Sequence, residues 1–199
     1  MKKPTVQLPF YSFRIELKGI KPKIWRYFYT PANISLVRFH NVIQEVMGWS
    51  NYHLYSFTIH KEEYFDDPEG DDAFMDMFPS ARHVTHSGLS KFRLDRLALL
   101  KGTQFSYLYD MGDSWEHVIK VLDTDYLPQN PKQKYGCFKG ERACPPEDCG
   151  GIYGYCDLLE TLADPESDEH EDMMEWTGGG VDPEEFDLED INARLRHLK

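Results

Sequence analysis

QFSYLYDMGDSWEHVIKVL, residues 104–122, is the stretch that most directly indicates the fold of this chain. Aromatic residues take alternate positions from Phe105 to Tyr109. A second alternation begins at Trp115 and continues through His117 and Ile119. This period is typical of half-buried strands. Residues 110–114 between the two parts are rich in residues that favour turns. The stretch therefore predicts a β-hairpin.

A second hairpin and a helix are predicted on its N-terminal side. Residues 10–29 alternate in the same way on either side of a turn at residues 19–22. Ser35 is a suitable N-cap for a helix over residues 36–48, in which apolar residues recur with a period of 3.6. Residues 53–60 return to the alternation of a strand.

The other segments have weaker patterns. Residues 61–87 are interpreted as a long acidic loop with one short helix at most, and residues 124–152 as an irregular segment rich in Pro, Gly and Cys. Three short helices are predicted after them, over residues 154–163, 166–176 and 187–198.

These patterns predict an α+β protein. A mostly antiparallel sheet of two hairpins surrounds one helix in a β-grasp-like arrangement, and a helical C-terminal region follows. We expect residues 1–136 to form the α+β core, with the acidic loop at 61–87 as an insert. Residues 137–199 are expected to form a Cys/Pro-rich loop and an acidic helical region that packs on this core.

The composition excludes several classes of protein. Of the 199 residues 41% are hydrophobic, which rules out a disordered chain. No apolar run approaches the ~18 residues needed to span a membrane. The N-terminal residues lack the apolar core of a signal peptide. We therefore expect a cytoplasmic protein without a membrane contact.

The net charge of −12 is unevenly distributed. Residues 1–60 hold 8 basic and 2 acidic residues, whereas residues 137–199 hold 5 and 18. A nucleic-acid contact is therefore expected only through residues 1–60, where the first hairpin carries basic residues that we expect to be exposed. These residues are Arg14, Lys18, Lys21, Lys23 and Arg26.

The turn of the 104–122 hairpin carries candidate metal ligands. Asp110 and Asp113 share the turn, and His117 lies four residues further on. Carboxylates and an imidazole suit a divalent metal such as zinc, and His53 is a candidate fourth ligand. The alternative is structural, because Asp side chains bond turn amides and a His that alternates with Trp and Ile is often a core residue.

A cluster of cysteines offers another metal site. Cys137, Cys144, Cys149 and Cys156 fall within 20 residues, with the spacing C-x6-C-x4-C-x6-C. Four thiols can bind zinc, although zinc sites usually contain closer pairs. Disulfides and free, small apolar side chains are the alternatives.

Glu147 and Asp148 are the candidate catalytic residues. They lie between Pro145–Pro146 and Gly150–Gly151, just before a predicted helix. One of the two acids is a candidate general base. The alternative is a rigid loop whose acids cap the helix.

Several stretches together resemble the plasmid pRiA4b ORF-3-like family. They are PKIWR at 22–26, residues 36–49, residues 53–57, residues 107–117, CPPEDCGGIYGY at 144–155, Trp176 and residues 182–192. The family's polar positions map onto Arg26, His40, His53, Asp110, Asp113, His117, Glu147 and Asp148. Arg26 and His40 thereby become further candidate site residues.

The resemblance implies a protein of bacteria or archaea linked to plasmid or mobile-element genes, in a family without an established activity. Some relatives are labelled passenger proteins of insertion elements. We therefore expect a module that binds a partner, such as another protein. The alternatives are a metal-dependent hydrolase or nuclease-like enzyme, and a nucleic-acid-binding protein that uses the basic N-terminal hairpin.

Overall fold

The computed structural model describes residues 9–66, 82–84 and 86–198, and an eight-stranded sheet runs through them. The strands are β1 (Phe10–Leu17), β2 (Trp25–Pro31), β3 (Tyr55–Ile59), β4 (Glu62–Asp66), β5 (Arg82–Val84), β6 (Gln104–Tyr109), β7 (Trp115–Tyr126) and β8 (Gly136–Glu141). The helices are α1 (Leu36–Met47), α2 (His86–Leu89), α3 (Gly151–Ala163), α4 (His170–Trp176) and α5 (Leu188–His197).

The strand order is β5-β4-β3-β6-β7-β1-β2-β8. Neighbouring strands pair antiparallel except β4 and β5, which are parallel. The two predicted hairpins, β1–β2 and β6–β7, lie side by side because β1 pairs with β7. The prediction of an α+β fold with a mostly antiparallel sheet is confirmed. The narrower β-grasp-like arrangement is not confirmed.

Two segments that we interpreted as loops contain strands. β4 pairs with β3 at the start of the predicted acidic loop. The predicted irregular segment contains β8, which pairs with β2 at one edge of the sheet. In both cases pairing with a neighbouring strand outweighs a sequence rich in charge or glycine. The rest of the predicted acidic insert, residues 67–81 and residue 85, lies outside the described residues.

Helix α1 covers the centre of the sheet. Ser35 accepts a hydrogen bond from the backbone N–H of Arg38, and Gly48 ends the helix in the left-handed region, as predicted. Phe39 of α1 packs against rings from four strands, with centroid distances between 4.9 and 6.2 Å. These rings belong to Phe13, Phe28, Phe57 and Phe105. The apolar face predicted for this helix therefore forms the middle of the core.

The last helix joins this core. α5 packs against β8 and α1, and its Ile191 and Leu195 are buried. Asn192 of α5 accepts a hydrogen bond from the Cys137 N–H and donates one to the Cys137 carbonyl. No helix among the described residues has the length and apolar character that crossing a membrane requires.

Candidate functional site

His53 lies where two distant parts of the sequence meet. It precedes β3, and the Asp110 N–H donates to the Leu54 carbonyl over 2.9 Å, which brings the 110–114 turn beside it. On its other side lies the loop of residues 144–150, which we call the Pro-Pro loop. Trp49 fixes this loop by donating from its indole N–H to the Pro145 carbonyl over 3.0 Å.

Three carboxylates face the His53 imidazole. Its Nε2 lies 3.0 Å from Oδ1 of Asp148, 3.6 Å from Oδ2 of Asp110 and 3.8 Å from Oε2 of Glu147. Ligand atoms of His53, Asp110 and Asp148 all lie within 4.8 Å of one another. Among the ion pairs of the described residues, these carboxylates have no partner besides His53. The site is therefore rich in negative charge and in the ligand types that divalent metals prefer.

Asp110 has one oxygen for the turn and one for the site. Oδ1 accepts from the backbone N–H groups of Gly112 and Asp113, over 2.8 and 3.3 Å. Oδ2 is the oxygen that faces His53. Asp110 is buried and its φ is +58°, in the left-handed region that Asp tolerates better than most residues. The turn geometry thus orients one carboxylate oxygen towards the site.

Glu147 is held in place by two donors. Its Oε1 accepts from the Ser50 N–H over 2.6 Å and from the Tyr109 hydroxyl over 3.1 Å. Burial, and then the charge of Glu147, raises the pKa of Tyr109, so this hydroxyl stays protonated and donates. Sequence analysis missed the role of Tyr109, since the alternating pattern marks it only as a strand residue. Asp148, by contrast, has a side chain that is 68% exposed.

Asp113 and His117, the other two candidate ligands of this hairpin, have different partners. Oδ2 of Asp113 accepts from the Gly150 N–H over 3.1 Å, which joins the turn to the Pro-Pro loop. His117 is fully buried, with its ring edge-on to Trp49 and Nδ1 3.4 Å from the Tyr107 carbonyl. Neither residue belongs to the group formed by His53, Asp110 and Asp148.

Arg26 and His40 lie in the core. Arg26 is 2% exposed, although we expected it on a basic surface, and it donates to backbone carbonyls that include those of Glu141 and Arg142. His40 stacks on Tyr55, and its Nδ1 lies 2.7 Å from the Tyr107 hydroxyl.

The four cysteines are free thiols and do not form one ligand set. Among the described residues, which include all four, only His53, Asp110 and Asp148 bring three such ligand atoms within 4.8 Å of one another. Burial raises the pKa of Cys137 to about 11 and that of Cys149 to about 12, which favours the protonated thiol. Cys144 is also partly buried, and Cys156 is exposed on α3.

Comparison with known proteins supports the resemblance found in the sequence. The family model for the plasmid pRiA4b ORF-3-like protein matches residues 9–190. The chain belongs to the plasmid pRiA4b ORF-3-like family. It is 35% identical, over 83% of its length and 79% of the relative's, to "Uncharacterized protein y4hQ" of Sinorhizobium fredii.

A solved structure shares the fold of this family member. It is the crystal structure of "Protein of Unknown Function MM3350" from Methanosarcina mazei Go1, with a TM-score of 0.74 and 31% sequence identity. The match covers 91% of this chain and 96% of the other. Neither name specifies an activity.

Gly154 is expected to be essential for the Pro-Pro loop of this family member. A Cβ at position 154 would lie 2.0 Å from the Cys149 carbonyl oxygen, a backbone atom that cannot rotate away. Gly154→Ala should therefore lower the free energy of unfolding by about 1–3 kcal/mol, measured by urea denaturation. Cys156→Ala, at an exposed position of the same helix, should change it by less than about 0.5 kcal/mol. Equal effects of the two substitutions would contradict this explanation.

Proposed function

We propose that this protein is a metal-dependent hydrolase with a divalent ion bound by His53, Asp110 and Asp148. The observation that carries the proposal is the convergence of these three ligand atoms within 4.8 Å. They come from the residues before β3, the 110–114 turn and the Pro-Pro loop.

The spacing of the ligand atoms supports a metal. Zinc bonds to nitrogen and oxygen are about 2.0–2.2 Å long, which puts neighbouring ligand atoms about 2.8–3.6 Å apart in octahedral or tetrahedral geometry. The distances of 3.0 and 3.6 Å from His53 Nε2 to Asp148 and Asp110 are close to this range. A mixed imidazole and carboxylate set suits zinc, manganese or iron.

The exposure of the site supports hydrolysis rather than a purely structural role. Asp148 is largely exposed, so an ion bound there keeps a position open to water. Three protein ligands with an open position are typical of catalytic zinc, which makes its bound water a nucleophile near neutral pH. Glu147, which Tyr109 and Ser50 hold beside the ligands, is the proposed general base.

We favour this function over nucleic-acid binding through residues 1–60. Arg14 and Lys23 pair with Glu16, Lys18 pairs with Glu116, and Arg26 is buried. The basic hairpin therefore offers less free charge than its sequence indicates. The prediction of a module that binds a protein partner remains a prediction.

Metal binding can be measured directly by titrating the metal-free protein with Zn²⁺ or Mn²⁺ in a calorimeter. One equivalent should bind, and His53→Ala or Asp110→Asn should weaken binding at least 100-fold, because each removes one of three ligands. His197→Ala, which changes an exposed histidine of α5, is the matched control and should bind normally. Unchanged affinity in His53→Ala would contradict this site and favour a simple ion pair between His53 and the carboxylates.

Hydrolysis is tested separately with a panel of nitrophenyl phosphate and carboxylate esters, with and without the metal. We expect metal-dependent turnover that Glu147→Gln lowers about 10²–10⁴-fold while metal affinity changes only a few-fold. Full metal binding without turnover of any ester would contradict the hydrolase and leave a metal-binding protein.

A further inference from the structure

We propose a second ligand site that binds a nucleoside phosphate, at the end of β7 far from the candidate metal site. β7 begins at the 110–114 turn and continues for 12 residues to Tyr126. At about 3.3 Å per residue, the two ends of this strand are about 35 Å apart. The second site is therefore independent of the proposed hydrolase.

Two adjoining cavities form this second site. One has a volume of about 570 Å³ and lies between the ends of β2, β7 and β8 and helix α5. The other, of about 360 Å³, lies between the 130–135 segment and the end of α5. They share Asn130, Gln133 and Arg196 as lining residues. Both volumes fall in the range of small-molecule sites, about 300–1,000 Å³.

The larger cavity has an aromatic wall. Tyr126 and Phe138 stack with ring centroids 5.6 Å apart and planes at 12°, and Tyr29 packs on Tyr126 at 5.3 Å. All three rings line the cavity, and Phe138 is 39% exposed. A flat aromatic surface that is open to solvent is suited to stacking on a planar base.

Amide side chains beside this wall offer hydrogen bonds to such a base. Gln129 and Gln133 line the cavity, and Gln133 bonds through its backbone N–H, while within the described part of the chain neither glutamine side chain forms a hydrogen bond. An amide presents both donors and acceptors, which match the mixed pattern at the edge of a nucleobase.

Positive charge without a counterion indicates that the ligand is an anion. Lys132, Lys134 and Arg196 line the smaller cavity, and neither cavity has an acidic lining residue. In the described residues none of the three cations forms an ion pair within 4.0 Å. In a chain with a net charge of −12, such a local excess of positive charge favours a phosphate next to the aromatic wall.

The test uses calorimetry on the full chain, with EDTA present so that the metal site plays no part. The probes are AMP, adenosine, inorganic phosphate and a ten-residue oligothymidylate at low salt. We expect AMP to bind, and adenosine and phosphate to bind at least tenfold more weakly, because each lacks half of the contacts. Arg196→Gln and Phe138→Leu should each weaken AMP binding at least tenfold. Lys91→Gln and Tyr153→Leu, at exposed positions elsewhere, should leave it unchanged.

The oligonucleotide distinguishes the source of the nucleotide. Similar affinities for AMP and the oligonucleotide would assign the site to free nucleotides, whereas tenfold tighter binding of the oligonucleotide would assign it to a single strand. The proposal is overturned if phosphate binds as well as AMP, if neither AMP nor the oligonucleotide binds, or if Phe138→Leu and Arg196→Gln have no effect. Failure of metal binding or of ester hydrolysis would leave it unaffected.

Discussion

Arg26→Met is expected to lower the free energy of unfolding by about 3–5 kcal/mol. The Arg26 guanidinium is buried and donates four hydrogen bonds to backbone carbonyls, at distances of 2.6 to 3.3 Å. The acceptors are Val46, Trp25, Glu141 and Arg142. It also lies 4.8 Å from the ring centroid of Phe186. Methionine has a similar shape but no donor, so it would leave these buried carbonyls unpaired.

The position of these carbonyls explains the large effect. Val46 belongs to the last turn of α1, where a cation is favoured by the partial negative charge of the helix end. Glu141 is the last residue of β8 and Arg142 follows it. Arg26 therefore ties together β2, the C-terminus of α1 and the edge strand β8.

Urea denaturation of matched variants measures this effect. Arg26→Lys should retain part of the stability, because an ammonium keeps the charge but has only three N–H donors for the four carbonyls. Arg14→Met removes a more exposed arginine that pairs with Glu16 and should cost less than about 1 kcal/mol. If Arg26→Met does not fold, the Lys variant supplies the measurement. A loss below about 1 kcal/mol in both Arg26 variants would contradict this role.

The protein should lose stability in acid because of His117. Burial lowers the pKa of this imidazole from 6.5 to about 3, so in the folded state it is neutral at pH values above about 3. Above pH 6.5 the ring is neutral in both the folded and unfolded states and has no effect. Between pH 6.5 and about 3 the unfolded chain binds a proton that the folded protein does not, so acid favours unfolding.

Measuring the free energy of unfolding at two pH values, for the wild type and for His117→Asn, isolates this contribution. At about 1.4 kcal/mol per pH unit, His117 alone should lower the free energy of unfolding by about 3 kcal/mol between pH 7 and pH 4. Other carboxylates titrate in the same range, so the measured quantity is the difference between the wild type and His117→Asn. His197→Asn, at an exposed position, should behave like the wild type. The same loss in acid for His117→Asn and the wild type would show that another group is responsible.

Local patterns predicted the regular elements of the fold. Alternation in residues 10–29 and 104–122 predicted the β1–β2 and β6–β7 hairpins, and the 3.6-residue period with Ser35 and Gly48 predicted α1. These patterns are reliable because one face of each element is buried against the same core. β8 was missed because its sequence, GCFKGE, is short and contains two glycines. Its strand conformation depends on pairing with β2.

The sequence also supplied the individual residues of the candidate metal site, but not the set that meets. His53, Asp110, Glu147 and Asp148 were each candidates, as were Asp113, His117 and the four cysteines. Residue type alone could not separate the first group from the second. His117 follows the same alternation as Trp115 and Ile119, which places it in the core, while Asp113 bonds Gly150. Arg26, the most buried of the hairpin's basic residues, donates hydrogen bonds to backbone carbonyls in the core.

By itself, the sequence determined the class of fold, the family, the two central hairpins and the covering helix. These properties depend on periodicity and on motifs, which are local. Tertiary structure alone decided that His53 meets Asp110 and Asp148, and that basic and aromatic residues line one pair of cavities at the far end of β7. Such groupings depend on strand order and loop closure between residues nearly a hundred positions apart. Local patterns carry no information about either.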